Sequence, residues 1–301
     1  MRIPAGLAIL SHGEDILPAV DWSVYKRFDR VVNYIHKDRL LSVCAASIPS
    51  GVDHLVLNVD DLEWLQSVQT LTDRVVLNGV AFPLDPCKLY RVPPLPLPAS
   101  FDHILTLESW LRAQAPPLSI PRLLHEASRP GSFDAALGRV FEEGIDLLES
   151  REFLQATRLL KGCGFGSTPS GNDYMCGYLM ALAWLTQAEW QTTGLPESGP
   201  SVGKRGRLPL HRGSQKNRLS EIADLILYEI LGTDPLCDAF ARRARALKPD
   251  SDWKELLQVF ADQTADARPA LEEVLSHGST SGADALAGFF MGLRHHYMEV
   301  K

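Results

Sequence analysis

A pattern that occurs twice constrains this chain more than any other feature. Ser170-Gly171-Asn172-Asp173 opens one apolar run and Ser281-Gly282-Ala283-Asp284 opens another, and in both a Gly-aromatic pair, a Met and a Leu follow at matching positions. Each copy is preceded by glycine and hydroxyl residues, Gly164-Phe165-Gly166-Ser167-Thr168-Pro169 before the first and His277-Gly278-Ser279-Thr280 before the second. A glycine-loosened loop that runs into hydroxyl residues and then an apolar periodic stretch is a helix start: Thr168, and Ser279 or Thr280, supply caps, and Pro169 suits the first helical position because its missing N–H would have had no partner there. Asp173 and Asp284 then fall in the first turn, where the positive end of the helix dipole favours a carboxylate.

Small residues recur one turn apart downstream of each start, Gly177 with Ala181 and Gly288 with Gly292. Positions four apart share a helix face, so each helix carries a nearly flat strip along which a second backbone can approach. The two copies are therefore expected to pack on one another about a pseudo-twofold axis, with their N-termini bordering one site. Backbone N–H groups that converge at a helix start suit a phosphate or carboxylate. The expected anion-binding groups are Gly164, Gly166, Ser167, Thr168, Ser170, Gly171 and Asn172 in the first copy, and Gly278, Ser279, Thr280, Ser281 and Gly282 in the second. Asp173, Asp284 and His277, the last with an imidazole that titrates near neutrality, are the candidate catalytic groups. No spacing marks a metal set, and Mg²⁺ between the two aspartates is the only metal the pattern suggests; otherwise no cofactor is expected.

Ahead of the first copy the chain changes character. Val31–Ile35, Leu40–Cys44, His54–Val59 and Val75–Val80 are short aliphatic runs separated by turn formers, the mark of a small sheet or barrel, with a short helix expected over Asp61–Gln69. Pro93-Pro94-Leu95-Pro96-Leu97-Pro98 reads as an extended connector. Beyond it, helical periodicity covers Ile104–Gln114, Pro121–Ala127, Phe133–Glu149, Arg151–Leu160, Leu219–Leu231, Pro235–Leu247, Trp253–Asp262 and Pro269–Leu275, while Thr192–Asn217 reads as a surface loop and His295-His296 as a solvated helix end. The expected class is α+β: a β-rich domain over 1–98, then a mainly α-helical domain over 99–301 that carries both Ser-Gly-x-Asp motifs.

Several function classes recede on composition. A formal charge of −7 offers no basic field for nucleic acid. Five cysteines without CxxC spacing suggest neither a disulfide framework nor structural zinc and fit a cytoplasmic protein, and no run approaches the roughly 20 apolar residues of a membrane span. Gly162-x-Gly164-x-Gly166 follows a helical stretch rather than a strand and lacks the Lys-Ser/Thr of a nucleotide phosphate loop, so dinucleotide and ATP binding by those routes are not expected.

Gly162-Cys163-Gly164-Phe165-Gly166-Ser167-Thr168-Pro169-Ser170-Gly171-Asn172-Asp173, followed by His277-Gly278-Ser279-Thr280-Ser281-Gly282-Ala283-Asp284-Ala285-Leu286-Ala287-Gly288, resembles the AllH family, whose pattern is close to GxGPGLTPSxDD and then GHTSGxDxLxG. The stretch from Val24–Phe28 to Ser42-Val43 and Ile48-Pro49-Ser50-Gly51 resemble it more loosely. The sequence departs from that pattern at Phe165 (Pro in the family), Ser167 (Leu) and Asn172 (the first Asp). The resemblance implies a subunit of an oxamate carbamoyltransferase of allantoin breakdown, interconverting oxalurate plus phosphate with oxamate plus carbamoyl phosphate in a hetero-oligomer with other subunits. A non-catalytic anion-sensing or assembly subunit is the competing expectation.

Overall fold

The computed structural model describes residues 3–96, 104–126, 133–192, 212–262 and 265–300. The protein is α+β, with two compact units: Met1–Pro94 together with Lys248–Leu257, and Leu95–Leu247 together with Gln258–Lys301.

In the first unit the described residues form one nine-stranded sheet. Its strands are β1 (Ile9–Gly13), β2 (Val20–Arg27), β3 (Val31–His36), β4 (Arg39–Cys44), β5 (His54–Leu57), β6 (Val68–Thr70), β7 (Arg74–Leu77), β8 (Val80–Pro83) and β9 (Leu89–Tyr90), in the order β8-β7-β6-β2-β3-β4-β5-β1-β9. Most neighbours are antiparallel; β4 with β5 and β1 with β9 are parallel. The core gathers aliphatic residues of β3, β4 and β5 around Trp22 and Tyr34, and Trp22 satisfies its indole N–H on Thr70 Oγ1 at 2.9 Å. Lys248–Leu257 joins this unit through exchanged backbone and hydroxyl bonds between Ser50 and Ser251, a 2.9 Å bond from the Tyr90 hydroxyl to the Pro249 carbonyl, and the Lys248–Asp15 pair at 2.6 Å.

Two expectations fail here for local reasons. The run Val75–Val80 is not one strand but the β7–β8 hairpin: Asn78 and Gly79 take φ of +47° and +83°, the left-handed pair of a tight two-residue turn that matches strand twist. Asp61–Gln69 is not helical. Leu62 and Leu65 are buried, but Val68 enters β6, and the Asn78 side chain holds the preceding loop open by accepting from Gln66 and Ser67 N–H and donating to the Trp64 carbonyl.

The second unit is helical. Its helices are α1 (Ile104–Gln114), α2 (Ile120–Glu126), α3 (Phe133–Glu149), α4 (Phe153–Leu160), α5 (Ser170–Thr192), α6 (Arg212–Ile230), α7 (Pro235–Arg245), α9 (Arg268–Leu275) and α10 (Ser281–Val300), and α8 (Ser251–Ala261) ends in it. Of the stretch expected as loop, Thr192 closes α5 and Arg212–Asn217 belongs to α6, while 193–211 lies outside the described residues. α5 and α10 form the centre. A Cβ on Gly177 would collide with the Ala285 carbonyl, and a Cβ on Gly288 would collide with the Tyr174 carbonyl. Each glycine thus meets the residue that corresponds, in the other copy, to the one its own counterpart meets, which is the exchange a pseudo-twofold requires. Trp184 stacks on Phe289 at 5.9 Å, with Phe260 tilted against both. Near the far end of the pair, His295 is half-buried rather than solvated: its Nδ1 lies 2.7 Å from the Tyr178 hydroxyl, while the His296 side chain lies outside the described residues. Among the described residues no helix is long and apolar enough to cross a membrane.

Candidate functional site

The two helix starts meet. Gly171 and Gly282 let the preceding helices close on them, since a Cβ at either would strike a carbonyl, Leu160 in α4 or Val274 in α9. That closure turns both starts inward. Asp173 is buried and Asp284 is fully so, and their partners cross between copies: the Ser281 hydroxyl faces Asp173 and the Ser170 hydroxyl faces Asp284. Thr168 Oγ1 donates to Asp173 Oδ2 at 3.0 Å and lies 3.2 Å from Ser281 Oγ. The threonine expected as a cap therefore spends its hydroxyl on the carboxylate; the Pro169 carbonyl instead receives the Asn172 and Asp173 N–H groups.

Asp284 also has a partner far away in sequence. Ile120 N–H, at the start of α2, donates to Asp284 Oδ1 at 2.6 Å. The turn before it is strained: Leu118 sits at φ +67°, a left-handed conformation that costs a branched residue about 1–2 kcal/mol. Ser119, fully buried, stabilises that turn by donating to the Pro116 carbonyl at 2.6 Å. The remaining oxygen, Asp284 Oδ2, and Ser170 Oγ are buried and make no hydrogen bond of good geometry among the described residues, although the Ser170 and Thr280 hydroxyls act on the Asp284 carboxyl.

Burial dominates the ionisation of both aspartates. For Asp173, loss of solvent pushes the carboxyl up to about 7 against the pull of the Ser281 and Thr168 hydroxyls, and the neighbouring Asp284 charge adds to the rise. For Asp284, burial likewise raises it to about 7 although Ile120 N–H, Ser170 and Thr280 favour the anion. The helix dipole, the simplest sequence-level reason for these residues, is outweighed by desolvation. Burial thus holds both carboxyls up toward neutrality, the arrangement that serves proton transfer or a proton-linked switch.

The glycine loop lies over the first start. Gly162, Gly164 and Gly166 have φ of +73°, +104° and +95°, and Gly162, Phe165, Gly166 and Ser167 are exposed. Two N–H groups at its ends are already bonded, Gly162 to Asn172 Oδ1 at 2.6 Å and Gly171 to the Cys163 carbonyl at 2.9 Å. In the second copy Gly282 N–H is bonded to the His277 carbonyl, Gly278 and Ser279 are exposed, and Thr280 is half-buried beside Asp284. His277 is half-buried at the end of α9, where its own N–H donates to the Val274 carbonyl. The structure thus brings together Thr168, Ser170, Asp173, Ser281 and Asp284, with Asn172 and Gly164 at their edge.

Sequence reasoning missed Ile120, since a backbone donor carries no side-chain signature, and Phe133, whose ring meets Phe165 at 5.8 Å. All five cysteines are free thiols, with Cys176 pushed well above its ordinary value by burial. Among the described residues no group of three or more His, Cys, Asp and Glu is placed to hold a metal. No family model, curated protein or solved structure matches the chain.

Proposed function

We propose that this protein handles small anionic substrates of the oxamate, oxalurate and carbamoyl phosphate class as a carbamoyltransferase-type subunit, working with other subunits. The observation that carries the reading is the exposed left-handed glycine loop at the start of α5, placed over an aspartate pair that burial holds up to about 7. A carboxyl whose ionisation burial opposes repels an incoming anion less than an ordinary carboxylate would and can hold a proton closer to neutrality. Carbamoyl transfer asks mainly for two substrates held in line and for charge stabilised on the leaving phosphate, which loop N–H groups and hydroxyls at a helix start supply. The resemblance to the AllH pattern at these same residues supports the assignment.

Mg²⁺ fits this donor set poorly. It keeps several waters in an octahedral shell, whereas Asp284 is fully buried and one of its oxygens is taken by Ile120 N–H. No step is derived through a metal. The competing reading, a non-catalytic anion-sensing or assembly subunit, is favoured by the internal use of the Gly162, Gly171 and Gly282 N–H groups.

A ligand that binds only the folded state raises the melting temperature by mass action. Millimolar phosphate, carbamoyl phosphate or oxamate is expected to do so, and phosphate release from carbamoyl phosphate with oxamate is expected once partner subunits are added. A melting temperature indifferent to all three anions overturns the proposal; a shift without turnover in any subunit combination favours the sensing role.

A further inference from the structure

We propose that Phe133, Phe165 and the Asn172 amide make the glycine loop a site for a larger ligand than oxamate, one with an anionic head and a planar aromatic or amide-conjugated tail. The inference rests on the reading of this loop as an anion site and specifies its substrate class.

Two observations carry it independently. The first is the aromatic pair. Phe165 projects from the loop between Gly164 and Gly166 at 41% exposure, and Phe133, the first residue of α3, is 68% exposed. Their rings lie 5.8 Å apart at 55°, so the two exposed apolar side chains are brought together from separate elements. Tilted aromatic pairs with open faces accept a third ring or a planar amide. The second is the amide. Asn172 is 2% exposed, its Oδ1 accepts from Gly162 N–H under the loop, and its Nδ2 has no acceptor among the described residues. A buried donor without an acceptor is costly, and a carboxylate or phosphate oxygen seated in the loop would satisfy it. Head and tail lie on one loop: Asn172 binds its first glycine, Phe165 flanks its second and third.

The test compares oxamate with N-phenyloxamate, which keeps the oxamate head and adds one planar ring, using thermal shift and calorimetric titration on the full chain. N-phenyloxamate is expected to bind at least tenfold more tightly. Phe165→Ala and Phe133→Ala, which trim exposed side chains and leave every loop N–H group in place, are expected to remove that advantage while leaving oxamate affinity within twofold. Asn172→Asp keeps the acceptor for Gly162 N–H but removes the donor and adds charge, so it is expected to weaken both ligands at least tenfold. Equal affinity for the two ligands, or an advantage that survives both alanine variants, overturns the aromatic site and leaves the anion reading standing. If neither ligand binds, the anion reading fails and this inference fails with it.

Discussion

Replacing Asp284 by Asn tests the ionisation of the central pair directly. Asn keeps an oxygen for Ile120 N–H, matches the carboxyl in shape and cannot ionise. In the wild type the folded-state value is raised from 3.8 to about 7, so folding favours the protonated form. Stability from this group is fully present below the unfolded value and is lost as pH rises through the folded one, because in that window the native state holds a proton that the unfolded state has released. A rise from 3.8 to about 7 corresponds to about 4 kcal/mol, of which roughly 3 kcal/mol falls between about pH 4.5 and 8.5. Removing the Asp284 charge also eases Asp173, which acts in the same direction. Urea unfolding followed through the buried Trp184 should therefore show Asp284→Asn gaining about 3 kcal/mol on the wild type across that interval. The carboxylates of Asp73, Glu229 and Asp266, lowered by their arginine partners, are common to both proteins and cancel. A stability difference that does not change with pH would show that Asp284 ionises at an ordinary value and that the dipole, not burial, governs it.

Further substitutions probe the packing that creates the pair. Gly177→Ala and Gly288→Ala each force a methyl onto a carbonyl of the facing helix, and each should cost roughly 3 kcal/mol, the upper end for overpacking, in urea unfolding; a loss under 1 kcal/mol would mean that α5 and α10 separate freely. In the first unit, Asn78→Ala should cost about 2–4 kcal/mol, since it removes three hydrogen bonds and places alanine at φ +47°. A neutral result there would show that the loop before β6 does not depend on Asn78.

The class of the fold and its centre were legible in the order of the residues. Helical periodicity located α1 and α3 to the residue, because an apolar stripe at 3.6-residue spacing has one way to be buried. The repeated Ser-Gly-x-Asp and the small residues behind it foretold the α5–α10 contact, since a flat strip is needed only where backbones approach. Asn78-Gly79 was a readable hairpin signal, but it stood inside an unbroken aliphatic run that also reads as one strand. Leu62, Leu65 and Val68 repeat at three, yet the spacing only reports burial, and a loop pinned by Asn78 buries the leucines as well as a helix would.

The character of the aspartates emerges from the fold instead. In sequence they are first-turn carboxylates that a helix dipole stabilises. In the fold, Gly171 and Gly282 draw α4 and α9 over them, the two copies exchange serine hydroxyls, and a backbone N–H from Ile120 reaches Asp284 across the chain. Ionisation depends on solvent access and on charges gathered from distant segments, and neither quantity is local. The same holds for Phe133 and Phe165, which lie 32 positions apart in sequence and become an exposed pair only when α3 begins beside the glycine loop.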